Sequence, residues 1–153
     1  MHTPQPFPRH LLSPCGLDCS RCVGCAEGTV SNHAKKIAEI LGPNFEVYAQ
    51  RLESFNPAMS HYAEFRALLE SLAAPKCGGC RSETRICLPQ CKVEQCVREH
   101  EIEFCFQCRE FPDCGKTGLP ENLLGRWQRN NQLMQKHGVD EFIRFQADKP
   151  RYP

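Results

Sequence analysis

The chain has 153 residues, of which 41% are hydrophobic and 24% charged, with a formal net charge of +1. Those values describe an ordinary globular protein and argue against wholesale disorder and fibrous repeats, and the interleaved charges supply no basic block of the kind that drives nucleic-acid binding. The unusual quantity is cysteine, at 12 residues.

The opening residues, 1–14, carry four prolines and no apolar run of signal-peptide length. They predict an extended lead-in and a reducing, cytoplasmic home, in which thiols serve metals before disulfides. No later stretch reaches the roughly 18 apolar residues of a membrane span. From residue 15 onward the chain reads as one metal-binding unit, 15–153.

Its first segment, 15–25, is CGLDCSRCVGC, with Cys15, Cys19, Cys22 and Cys25 in Cys-x3-Cys-x2-Cys-x2-Cys spacing. Four thiolates so close can meet one ion if the backbone curls, which Gly16 and Gly24 would ease. The run Cys19, Cys22, Cys25 also copies the first three ligands of a bacterial ferredoxin, but the Cys-Pro that should follow is replaced by Ala26, Glu27 and Gly28. Cys15 to Cys22 likewise has the spacing of radical S-adenosylmethionine enzymes, whose barrel needs about 200 residues or more.

The cysteine-free middle, 26–76, predicts helices. Ser31 is placed to cap one from Asn32 to Leu41, with Ile37, Ile40 and Leu41 inward and Gly42-Pro43 as its stop. Phe45, Tyr48, Leu52 and Phe55 recur at helical spacing, and from Ala58 a longer helix aligns Tyr62, Phe65, Leu69 and Leu72. These faces predict a packed core rather than a cofactor pocket.

The metal region, 77–114, holds Cys77, Cys80, Cys87, Cys91, Cys96, Cys105, Cys108 and Cys114. Cys77-Gly78-Gly79-Cys80 suits a knuckle, and Cys105-Phe106-Gln107-Cys108 repeats the pair. Glycines and prolines interrupt regular structure, so the loops would be irregular and ordered by metal, apart from a helical stretch at Lys92–His100. Loop-closure entropy favours sequential sets, Cys15/19/22/25, Cys77/80/87/91 and Cys96/105/108/114, by a small margin, since doubling a loop costs only about 0.6 kcal/mol. An interleaved set joining Cys77 and Cys80 to Cys105 and Cys108 competes.

Tetrahedral thiolate shells fit structural zinc, with an iron-sulfur cluster as the alternative, chiefly at Cys15–Cys25. His100 could replace one cysteine, whereas His2, His10, His33, His61 and His137 are scattered. No cysteine stands outside a metal spacing beside a partner base, so catalysis has no residue to rest on. Phe104, Phe106 and Phe111 form either a small apolar cap or an exposed surface for a protein partner beside the loops. The segment 120–148 predicts C-terminal helices through Leu123, Leu124, Trp127, Leu133 and Met134, then Phe142, Ile143 and Phe145, before a tail.

The motifs CGLDCSRC, KCGGCR and CKVEQCVREHEIEFCFQCREFPDC, with the end RWQRNNQLMQKHGVDEF to PRYP, resemble a family of prokaryotic cysteine-rich proteins, common in anaerobes and grouped only as a domain of unknown function. The resemblance covers nearly the whole chain and implies metal binding and a cytoplasmic home, without an activity. Asp113 separates Phe111-Pro112 from Cys114, where the family places the last cysteine directly after Phe-Pro. Together these readings predict a mainly α, small zinc-stapled domain with irregular cysteine-rich loops, acting as a binding or scaffolding module.

Overall fold

The computed structural model describes residues 7–152. Among them the protein is mainly α: α1 Thr29–Leu41, α2 Phe45–Leu52, α3 Tyr62–Ala73, α4 Val93–Glu99, α5 Glu121–His137 and α6 Val139–Ala147, joined by short 3-10 turns and irregular loops. Extended pairing among the described residues is limited to isolated bridges, Leu12 with Asp18 and Cys25 with Cys77. The chain divides into two compact units, one of residues 1–20 and 78–153 and one of Arg21–Cys77.

In the second unit α1 packs on α3. Helix α1 starts after Gly28, earlier than expected, so Ser31 sits inside it rather than capping it. Its hydroxyl is buried and donates to the Ala73 carbonyl at the end of α3, 3.2 Å away, which holds the two helix ends together. The face that meets α3 is built on the small residues Ser31 and Ala34, while Ile37 and Ile40, expected inside, are 43% and 72% exposed. Small side chains allow two helices to approach closely, so the partner selects that stripe over the bulkier one.

The helix expected from Ala58 begins instead as a 3-10 turn, Pro57–His61, opened by the Asn56 side chain accepting from the Ala58 N–H. The α region proper starts at Tyr62, which packs edge-on against Phe45 with ring centroids 5.0 Å apart. Tyr62 and Leu69 are buried, but Tyr48, Leu52, Phe55 and Phe65 are exposed, against the expectation of a closed core. Between α1, α2 and α3 lies an open apolar cleft of about 410 Å³, with Ile37, Phe45, Tyr62 and Phe65 in its wall. An 8-residue α2 is too short to cover it.

The first unit is built around α5 and α6. Leu12, Phe104, Met134 and Phe142 form one buried cluster, with Phe106, Leu133 and Ile143 packed against it. Cys15, Val93 and Trp127 form another, joined by Leu17, Phe111, Leu119 and Leu124. Residues 9–11 make a 3-10 turn, and Leu11 and Leu12 are 1% exposed, so the lead-in contributes to the core. Burying an aliphatic side chain of this size is worth about 1.5–3 kcal/mol. The C-terminal tail is likewise tied down, since Arg151 Nε donates to the Asp18 carbonyl at 2.8 Å and Arg126 donates to the Arg151 carbonyl at 3.0 Å.

Candidate metal centre

No disulfide joins the described cysteines. Cys22, Cys25 and Cys77 belong to the second unit, where the Cys25–Cys77 bridge is closed by the Ala26 N–H donating to the Cys77 carbonyl at 2.8 Å and the Cys77 N–H to the Gly24 carbonyl at 3.1 Å. Cys25 is almost fully buried. Burial pushes its thiol pKa up, and the charges of Cys77 and Cys22 add to the shift.

Cys15, Cys19, Cys80, Cys87, Cys91, Cys96, Cys105, Cys108 and Cys114 belong to the first unit. Cys80 is raised by burial first and then by the charges of Cys15, Cys19 and Cys91, while Cys15 is raised by burial and by Cys91 and Cys87. The backbone brings this group together through a tight turn at Gly79, where an added Cβ would meet Leu11 at 3.0 Å and Cys19 at 3.9 Å. Ser13 fixes the Cys15 side chain: its hydroxyl lies 3.0 Å from the sulfur and also donates to the Leu17 carbonyl at 2.8 Å. The thiols whose charges act on Cys80 are thus Cys91, a member of its sequential set, and Cys15 and Cys19 from the N-terminal set.

Cys96, Cys105, Cys108 and Cys114 line one small pocket with Val93, Val97, Phe111 and Trp127. Cys96 comes from α4, and Cys105 and Cys108 flank a 3-10 turn closed by the Gln107 side chain, whose oxygen accepts from the Glu103 and Phe104 N–H groups at 2.8 Å each. The turn is docked on α5 by the Phe106 N–H, which donates to the buried Asn131 side chain at 3.0 Å. Burial raises Cys105 to about 12, with the nearby Trp127 indole acting in the opposite direction; Cys96 is raised by burial and by Cys114 and Cys108. His100 sits at the rim, exposed, with Nδ1 2.8 Å from the Cys96 carbonyl and 3.7 Å from its sulfur.

Among the described residues no three His, Cys, Asp or Glu side chains are drawn in to the spacing of a formed metal shell. The donor set nonetheless suits a soft or borderline cation: thiols converge from separate loops, and the Trp127 indole N–H is buried beside them without a hydrogen-bond partner. His2 lies outside the described residues. Sequence reasoning missed Ser13, Trp127, Asn130 and Asn131 as parts of the site. The adjacent asparagines, polar residues on the apolar side of α5, were the available signal.

Phe104 is fully buried and stacked on Phe106 at 5.8 Å, with Arg81 above it, whereas Phe106 and Phe111 are half-buried, Phe111 packing edge-on against Trp127 at 5.4 Å. No helix among the described residues is long and apolar enough to cross a membrane.

No curated protein and no solved structure matches the chain. A family described as "Protein of unknown function (DUF3795)" matches residues 11–118, from the buried Leu11 through every cysteine to the end of the pocket-bearing loops. With that match over most of its length, and the thiol-bearing segments inside it, the chain belongs to this family of proteins of unknown function.

Proposed function

We propose that the protein is a structural zinc-binding module of the cytoplasm, with Cys15, Cys19, Cys22, Cys25, Cys77, Cys80, Cys87, Cys91, Cys96, Cys105, Cys108 and Cys114 as its pool of ligands, serving to bind or scaffold a partner protein. The observation that carries this reading is the convergence of thiols from three separate stretches of the first unit on one interior, where Cys15, Cys91, Cys105 and Cys114 belong to or pack against a single apolar cluster. Bringing that many ionisable sulfurs into an apolar interior is costly when they are charged and uncompensated, and a divalent cation offsets the cost. Zinc suits closed thiolate shells and leaves no open position for catalysis.

The iron-sulfur reading draws on the Cys19, Cys22, Cys25 spacing. Metal analysis and visible absorption of protein purified without oxygen separate the two. The expected result is zinc with a colourless solution; a brown solution with iron and acid-labile sulfide would replace zinc by a cluster, and a metal-free, folded chain would end both.

A further inference from the structure

The pocket beneath α5 is the feature that carries more than a general affinity for metal. It offers about 20 Å³, the room of one water-sized body, and its exposed lining is almost wholly apolar apart from the sulfurs. Water gains little there, because a buried water needs two to four polar partners. Besides the sulfurs, Lys116, Thr117 and Trp127 bring polar groups to the lining. Trp127 is 3% exposed, and its Nε1 is buried without a hydrogen-bond partner.

We infer that Cys96, Cys105, Cys108 and Cys114 hold a single metal ion in this pocket, with the Trp127 indole N–H donating to the Cys105 sulfur as a positioning contact. The inference rests on the metal-binding reading and deepens it, since it names one mononuclear centre and its ligands. Each cysteine has alternative staggered rotamers through which its sulfur can turn toward the pocket centre. Four thiolates without a further ligand make the closed tetrahedral shell that suits one ion of the zinc class. The indole N–H then plays the part that outer hydrogen bonds play at metal sites, orienting one ligand and tempering its charge.

Trp127 is the only tryptophan of the chain, so its emission reports this pocket. The full chain, stripped of metal without oxygen, is titrated with cobalt(II) and then with zinc. Cobalt is expected to quench the emission while thiolate-to-cobalt absorption grows, and zinc to restore it. Cys108→Ser should lower the bound metal by one equivalent and remove most of that quenching. Cys108→His, which keeps a ligand, should retain the equivalent and shift the cobalt spectrum. Trp127→Phe should retain the metal count but release one equivalent to a chelator about 10-fold faster. An unchanged metal count in Cys108→Ser, a wild-type cobalt spectrum in Cys108→His, or unchanged release from Trp127→Phe overturns the assignment while leaving metal binding elsewhere standing. Absence of any bound metal in the wild-type chain overturns the assignment together with the reading beneath it.

Discussion

Replacing Asn131 by alanine removes the acceptor of the Phe106 N–H and the donor to the Trp127 carbonyl, both inside a site with no solvent exposure. A buried group left unpaired costs about 1–3 kcal/mol, so the variant's urea midpoint should fall accordingly, and the turn bearing Cys105 and Cys108 should be the first segment to exchange its amide protons. Gly118 supports the same loops differently. Its φ is +62°, and an added Cβ would come within 2.0 Å of the Gln90 carbonyl oxygen, beside Cys91. Gly118→Ala should therefore cost at least about 2 kcal/mol in chemical denaturation, and a cost below about 0.5 kcal/mol would show that this turn opens freely. Neither effect is visible in the sequence. Asn131 and Gly118 are ordinary helix and loop residues until the distant backbone they meet, at Phe106 and Gln90, is known.

At the scale of elements, the sequence predicts α1 and α3 as helices but selects the wrong stripe of α1. Hydrophobic periodicity ranks Ile37 and Ile40 above Ser31 and Ala34, whereas close packing against a neighbouring helix rewards small residues. Ala34→Leu should consequently destabilise the second unit by about 1–3 kcal/mol through overpacking, while Ile40→Lys, on the exposed side, should stay within about 0.5 kcal/mol. Thermal unfolding followed by circular dichroism distinguishes the two, and equal effects would mean that the small stripe is not the contact face. The α4 and α5 segments fared better: α4 falls within the predicted stretch Lys92–His100, and the buried Trp127 and Met134 on α5 belong to the apolar set read from the sequence, with Asn130 and Asn131 buried between them.

For the whole molecule, the decisive manipulation is metal removal. A strong chelator should disorder 77–114, whose loops carry few helical hydrogen bonds, while α1 and α3 keep their helical signal from their mutual packing. Limited proteolysis should then cut first between Gly78 and Cys114; unchanged far-ultraviolet dichroism and cleavage after complete metal removal would sink structural metal as the source of order. The sequence by itself determined the mainly helical class, the cysteine pairs and the family, because helix periodicity and short-range spacing are local properties. Tertiary structure decided what surrounds the thiols: Cys15 lies beside Val93 and Trp127, and Cys96, Cys105, Cys108 and Cys114, already one sequential set, line a pocket with the Trp127 indole. Loop lengths change the closing cost by only tenths of a kcal/mol, whereas burying a side chain against valine and tryptophan gains more than that, so packing partners are not written in chain order.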